Sequence, residues 1–163
     1  MRRPVVALAA VLLLAAPAWG AVITRHATTA SYKLTLAVGP TEAMYTMDEV
    51  KAKHPKSGEV MVGASMSMGG MSMGKANRHL EVHVASRATG KVVTNASPTI
   101  TLTDTSAMGG MAMSQKVEAM AMQGIGEGVA DLHYGNNVKL TAGHIYKVVV
   151  TVKGEKANFS FKA

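Results

Sequence analysis

The sequence predicts an all-β fold, and two observations support this prediction. Several segments alternate apolar and polar residues with a period of two, as half-buried strands do. The clearest of them run from Tyr32 to Val38, from Leu80 to Val84 and from His144 to Val152. Turn-forming pairs such as Thr89-Gly90 and Lys153-Gly154 separate such segments. Many short strands with regular turns favour an antiparallel β-sandwich of immunoglobulin or cupredoxin type.

The other predicted elements are shorter. A helix is predicted from Thr46 to Ala52, because Thr46 can cap it and Glu49 follows three residues later. The residues Gly135-Asn136-Asn137 predict a turn, and the methionine-rich segment from Gly63 to Lys75, which has no apolar period, predicts a mobile loop. Further strands are predicted at 59–62, 91–93, 99–103, 117–122, 138–140 and 158–162.

Residues 1–20 predict a secretory signal peptide. Arg2 and Arg3 precede an apolar run from Val5 to Ala16 that is short for a membrane span, and small residues follow it. Residues 21–163 are then expected to form a single domain that is periplasmic or secreted. The alternative is an N-terminal anchor that is not cleaved.

Charge and motifs exclude several function classes. The net charge is +7, but the lysines are scattered and aromatic residues make up only 4% of the chain, so no nucleic-acid-binding surface is predicted. The glycine-rich stretch from Gly124 to Gly128 is not followed by a predicted helix, which argues against a phosphate-binding loop. No nucleophile elbow, zinc-protease motif or catalytic triad spacing is found, and the chain is predicted not to be an enzyme.

Methionine is the most informative residue type. The chain has 13 methionines and no cysteine, and most of the methionines lie in short clusters with glycine, serine or alanine. A thioether is a soft, neutral ligand that suits Cu(I). Four methionines that alternate with glycine and serine form no apolar face and are predicted to bind Cu(I): Met66, Met68, Met71 and Met73. The alternatives for this segment are a low-complexity linker or a sink for oxidants.

Other methionines have a different interpretation. Methionine most often fills irregular gaps in a core, and this use is expected for Met44, Met47 and Met61. In the segment from Val117 to Met122, alternation places Met120 and Met122 on one face of a predicted strand.

A row of candidate metal ligands lies on one predicted strand. If Leu80, Val82 and Val84 point into the core, three polar side chains share the opposite face: His79, Glu81 and His83. Two imidazoles and a carboxylate can bind Cu(II), Zn(II) or iron. The alternative is a solvated polar face of an edge strand.

A further histidine, His133, precedes the predicted turn. If His79, Glu81 and His133 meet a methionine, Met120 or Met122, they form a site with both hard and soft donors. Such a site can accept both oxidation states of copper, because imidazole tolerates either ion and a thioether favours Cu(I).

Two of these segments resemble motifs of a known family. His79-Leu80-Glu81-Val82-His83 resembles the His-Leu-Glu-Ala-Asp-Ile-His strand of periplasmic accessory proteins that are encoded beside high-affinity iron permeases. The segment from His133 to Val138, His-Tyr-Gly-Asn-Asn-Val, resembles the family's His-Tyr-Gly-Ala-Asn-Ile. The resemblance implies an immunoglobulin-like sandwich, commonly dimeric, that binds copper.

The family's ligands can be carried over only in part. The resemblance implies His79, Glu81 and His133 as copper ligands, with Met120 or Met122 as the methionine. The family has one more histidine ligand in a later loop, and His144 does not match its context. Either His83 replaces that ligand or the site uses fewer ligands. The methionine-rich segment from Met66 to Met73 has no counterpart in the family.

The chain is therefore predicted to be an exported carrier, buffer or resistance factor for copper, Cu(I) or Cu(II), with iron or zinc as alternative ions. The expected partners are the metal ion and a membrane permease or copper-exporting protein, and a homodimer is implied by the resemblance. Two other functions stay open, namely periplasmic iron uptake and a structural immunoglobulin-like module that binds no metal. A copper or iron site with an open position could also support redox chemistry.

Overall fold

Two β-sheets packed against each other form the fold. The structure is a computed structural model, and it describes residues 21–63, 76–107 and 111–163. One sheet has seven strands and the other has four. The predicted all-β sandwich is thereby confirmed. The predicted signal peptide, residues 1–20, and the predicted Cu(I) ligands Met66, Met68, Met71 and Met73 lie outside the described residues.

The seven-stranded sheet carries most of the residues that the sequence singles out. All neighbouring strands in it are antiparallel except β3 and β4, which are parallel. In spatial order its strands are β1 (Ile23–Thr28), β2 (Tyr32–Gly39), β5 (Arg78–Ser86), β9 (His133–Val138), β8 (Met120–Gly124), β4 (Glu59–Met61) and β3 (Met44–Tyr45).

The four-stranded sheet is antiparallel throughout. Its strands, in spatial order, are β11 (Glu155–Lys162), β10 (Ile145–Val152), β6 (Thr99–Asp104) and β7 (Met113–Val117). β10 and β11 form a hairpin whose turn contains Gly154 at a φ of 88°, a backbone angle that glycine adopts without strain.

Two short helices complete the described structure. The helix α1 (Met47–Lys53) begins at Thr46, whose hydroxyl accepts a hydrogen bond from the Glu49 amide, while the Glu49 carboxylate accepts one from the Thr46 amide. This is the capping box that the sequence predicts. A 3₁₀ helix (Gly128–Asp131) lies between β8 and β9. Among the described residues, no helix is long and apolar enough to cross a membrane.

The main core lies between the two sheets. Leu80, Val82 and Val84 point into it and are at most 1% exposed, which leaves the alternate residues of β5 on the outer face of the larger sheet. Val148 and Val150 meet them from the smaller sheet. The inward-facing half of β5 therefore follows the predicted alternation, and the candidate ligands occupy the other face.

Several local predictions were wrong. The predicted turn Gly135-Asn136-Asn137 lies inside β9, where β5 and β8 pair with it on both sides. The predicted strand from Val117 to Met122 is two strands, because the chain leaves the smaller sheet after Val117 and joins the larger one at Met120. Met47 is 51% exposed and does not fill the core. The strand β1 was not predicted.

Candidate metal centre

The candidate ligands lie on the outer face of the seven-stranded sheet, where four of its strands run side by side. In one row, His83 of β5 lies opposite His133 of β9, which lies opposite Met122 of β8, which in turn lies opposite Met61 of β4. In an antiparallel pair, directly opposite residues have Cβ atoms about 4.5–5.5 Å apart. The register therefore arranges nitrogen and sulfur donors in a continuous line across the sheet.

A glycine separates the members of the neighbouring row. Glu81 lies opposite Gly135, which lies opposite Met120. A Cβ atom at Gly135 would overlap the carbonyl oxygen of Leu80 on the adjacent strand. The absence of a side chain at this position lets β5 and β9 approach closely and leaves space between Glu81 and Met120.

Three predicted ligands converge at one point. One ligand atom from each of His79, Glu81 and His133 can be chosen so that all lie within 4.8 Å of one another. His133 Nε2 lies 3.7 Å from Glu81 Oε2, and the two imidazole centroids of His79 and His133 are 5.9 Å apart. Donors at 2.0–2.2 Å from a tetrahedral metal ion are roughly 3–4 Å from each other, so small side-chain movements would complete a coordination shell.

Hydrogen bonds fix both buried imidazoles in the form that binds metal. His133 Nδ1 lies 2.9 Å from the carbonyl oxygen of Asp131, which can only accept, so this nitrogen carries the proton. His79 Nδ1 lies 3.1 Å from Asn137 Oδ1, and the Glu42 backbone defines the orientation of that amide from both sides. In the tautomer that these hydrogen bonds select, Nε2 of either ring offers a lone pair, an arrangement typical of metal-binding histidines.

Within the described part of the chain, these lone pairs have no hydrogen-bond partner. Three buried side-chain atoms among the described residues lack a hydrogen-bond partner, and they are His79 Nε2, His133 Nε2 and Glu59 Oε2. Glu59 Oε2 lies 3.4 Å from His133 Nε2. Buried polar atoms are rarely left unsatisfied. His79 and His133 belong with Glu81 to a group that could hold a metal ion, and Glu59 adjoins that group through His133.

The electrostatics of the cluster also favour a cation. Burial, followed by the nearby carboxylates of Asp131, Glu81 and Glu42, raises the pKa of Glu59 to about 7. Burial lowers the pKa of His79, which keeps its imidazole neutral. Carboxylates crowded around a buried neutral imidazole such as that of His79 are stabilised when a positive ion is placed among them.

A second, more exposed group adjoins the first. His83, Asp131 and His133 also place ligand atoms within 4.8 Å of one another. His83 Nε2 lies 3.5 Å from Glu81 Oε1, and the interaction of these two side chains lowers the pKa of Glu81 and raises that of His83. Glu81 therefore faces His133 with one oxygen and His83 with the other. His83 is half-buried and lies toward solvent.

The remaining sequence candidates have different outcomes. Met120 and Met122 are buried on the same face as His133, in a cluster with Met44 and Met61. His144 does not join the site, because it pairs with Asp104 in the other sheet at 2.8 Å.

Two members of the cluster, Glu59 and Asp131, were not predicted from the sequence. Glu59 shares a face with Met61 on a predicted strand, so the alternation pattern that found Glu81 could have found it. Asp131 lies two residues before His133, and its role depends on the 3₁₀ helix that brings its backbone carbonyl to the ring.

Comparison with known proteins adds information about the fold. No protein-family model matches the chain, and no curated protein sequence matches it. The fold is similar to that of FetP from a uropathogenic strain of Escherichia coli, crystallised "as isolated" after expression in the periplasm of E. coli, with a TM-score of 0.53 and 15% sequence identity. The match covers 88% of this chain and 96% of that one. The two proteins therefore share their fold over most of both chains.

Proposed function

We propose that the chain is an exported protein that binds copper and acts as a carrier or buffer for it. The observation that carries the proposal is the group of three buried atoms without hydrogen-bond partners, His79 Nε2, His133 Nε2 and Glu59 Oε2. Each is a metal-binding donor, and desolvating such atoms without a partner is costly. A metal ion held between His79, His133 and Glu81 would satisfy both nitrogens, and the Glu59 carboxylate, which lies 3.4 Å from His133 Nε2, would reach that ion after a side-chain movement.

The choice of copper rests on the donor set. Imidazole nitrogen binds Cu(II) and Cu(I), and thioether sulfur adds a preference for Cu(I). Met122 lies directly opposite His133, so sulfur is available beside the imidazoles. The absence of cysteine from the chain fits an oxidising compartment, where methionine remains usable as a soft ligand. The motif resemblance and the likeness to FetP support a periplasmic role.

Copper titration of the purified protein tests this proposal. We expect one tightly bound Cu(II) per chain at the buried position, and we expect His133→Ala and His79→Ala each to weaken binding by at least about 100-fold, because each removes a ligand. The matched control is His144→Ala, which removes a histidine that lies just before β10 and pairs with Asp104 of the other sheet. Copper that stays free in solution, or binds the His133→Ala protein as well as the unaltered protein, contradicts the proposal.

A second candidate function is periplasmic iron uptake beside a membrane permease. The carboxylates of Glu59, Glu81 and Asp131 favour it, because hard oxygen donors suit iron better than they suit Cu(I). Competition between Cu(II) and Fe(II) for the same site separates the two functions. A preference for iron at equal free concentrations would identify iron as the cargo, and failure to bind either ion would leave a structural module.

A further inference from the structure

Methionine is distributed unevenly between the two apolar clusters of the described chain. The main core, which draws on both sheets, is built from leucine, valine, isoleucine, alanine, tyrosine and phenylalanine and includes no methionine among its buried residues. The second cluster consists only of methionines: Met44, Met61, Met120 and Met122. Methionine that serves only to fill gaps would be expected in the larger core as well. The segregation therefore points to a use of the sulfur atoms themselves.

The methionine cluster lies directly beside the imidazole and carboxylate groups. Met61 lies opposite Met122 across β4 and β8, and Met122 lies opposite His133 across β8 and β9. Met44 is the register partner of Glu59 across β3 and β4. The sulfur-bearing side chains thus occupy one end of the donor row, and the histidines occupy the other.

Burial makes these thioethers suitable for a soft ion. All four side chains are buried, with at most 7% exposure for any of them. A thioether carries no charge and no proton, so it is available at any pH and gives hard divalent ions little stabilisation. The positive charge of a bound ion would need an anion close by. Glu59 meets that need, because it shares a face with Met61 and one of its carboxylate oxygens lacks a hydrogen-bond partner.

We propose that Met44, Met61, Met120 and Met122 form a thioether site that binds a soft monovalent ion, Cu(I) or Ag(I), beside the imidazole site. The inference rests on the proposed function, since it supplies the soft half of the same copper centre. It assigns ligand roles to Met44 and Met61, whose sequence positions predict core packing alone. It also gives copper two adjacent positions, one rich in nitrogen and oxygen and one rich in sulfur.

Silver binding followed by NMR tests the site directly. Ag(I) is a diamagnetic stand-in for Cu(I), and ¹³C labelling of methionine methyl groups reports on each sulfur. We expect saturation with Ag(I) to shift the methyl resonances of Met44 and Met61 and to leave that of Met47, which is exposed on α1, in place. Methyl resonances of Met44 and Met61 that do not move overturn the inference.

A pair of leucine substitutions tests the contribution to affinity. Leucine keeps the apolar volume of methionine, so the Met44→Leu/Met61→Leu protein should remain folded. We expect its Cu(I) affinity, measured by competition with bathocuproine disulfonate, to fall on the order of 10- to 100-fold while its Cu(II) affinity is unchanged. The matched control is Met47→Leu, which should leave both affinities unchanged.

The outcomes separate this inference from the proposed function. An unchanged Cu(I) affinity, or an equal fall in the Cu(I) and Cu(II) affinities, shows that the cluster serves packing only and overturns the inference alone. If the unaltered protein binds copper in neither oxidation state, the proposed function itself fails, and the thioether site fails with it.

Discussion

At the scale of single residues, the hydrogen bond at Nδ1 of each buried histidine determines whether Nε2 of the same ring can bind a metal ion. Asn137 accepts from His79 Nδ1 while its amide is itself held by the Glu42 backbone, so the His79 ring can neither rotate nor change tautomer easily. The carbonyl of Asp131 has the same role for His133. These oxygens position the two Nε2 lone pairs without touching the metal position.

Removing such a positioning residue should weaken metal binding without removing a ligand. We expect Asn137→Ala to lower the Cu(II) affinity about 10- to 100-fold, because the His79 ring loses the partner that orients it. Asn158→Ala, on the exposed face of β11, is the matched control and should have no effect. Isothermal titration at a fixed pH measures both, and equal affinities for the two variants would rule out the positioning role.

Glu59 should make the metal-free protein less stable as the pH rises. Its pKa is about 7 in the folded protein against 4.5 for the free side chain, so the folded state holds more protons between these values. The free energy of unfolding therefore falls as the pH rises through this window, by at most about 3 kcal/mol. Glu59→Gln removes this penalty.

The expected result for Glu59→Gln depends on pH in a defined direction. Urea unfolding of the metal-free protein should show little gain at pH 5, where Glu59 is already protonated, and the largest gain at pH 8. Glu49→Gln, which alters a partly exposed carboxylate whose pKa is about 2, is the comparison and should produce no gain in that window. An equal gain in the free energy of unfolding at pH 5 and pH 8 would show that the ionised Glu59 carboxylate carries no burial penalty.

At the scale of elements, β9 holds the site together because it pairs with a ligand-bearing strand on each side. Its close approach to β5 depends on Gly135, where a Cβ atom would meet the Leu80 carbonyl. A larger residue there must push β5 away from β9, and Glu81 would move with it.

The substitution Gly135→Ala should therefore destabilise the protein and disturb the site. We expect a loss of roughly 1–3 kcal/mol, the usual range for an overpacked position, together with weaker Cu(II) binding. The matched control is Gly39→Ala in β2, where a Cβ atom would meet only Val22 at an ordinary 3.6 Å. Urea unfolding compares the two, and similar stabilities would show that β5 and β9 separate without cost.

The same strands show what the sequence could and could not predict. The face that bears His79, Glu81 and His83 follows from strict alternation in one strand, which is a local property. That Gly135-Asn136-Asn137 forms part of a strand does not follow from a local pattern. These residues favour turns and adopt a strand only because strands pair with them on both sides. Glu59 joins the site through the pairing of β4 with β8, which local patterns do not reveal.

At the scale of the whole molecule, the two sheets have separate tasks. The smaller sheet presents one face to the core, through residues such as Ile100 and Val148, and bears none of the proposed ligands. The larger sheet contributes to the core on one face and carries the donors on the other. Stability and binding should therefore respond to different substitutions.

Copper should stabilise the folded protein by an amount set by its affinity and its free concentration. The proposed ligands Glu59, Glu81 and His133 come from three strands, and unfolding separates them. At a free Cu(II) concentration 100 times the Kd, the free energy of unfolding should rise by about 2.7 kcal/mol.

Two variants separate this copper effect from the stability of the core. Ile100→Ala should lower the stability of the metal-free protein by roughly 2–5 kcal/mol, since Ile100 is fully buried in the other sheet. It should nevertheless gain the full increment of about 2.7 kcal/mol, as the unaltered protein does, when copper binds. His133→Ala should lose most of that increment at the same copper concentration. Thermal unfolding followed by circular dichroism measures all three, and a copper increment that survives in His133→Ala would place the metal elsewhere in the chain.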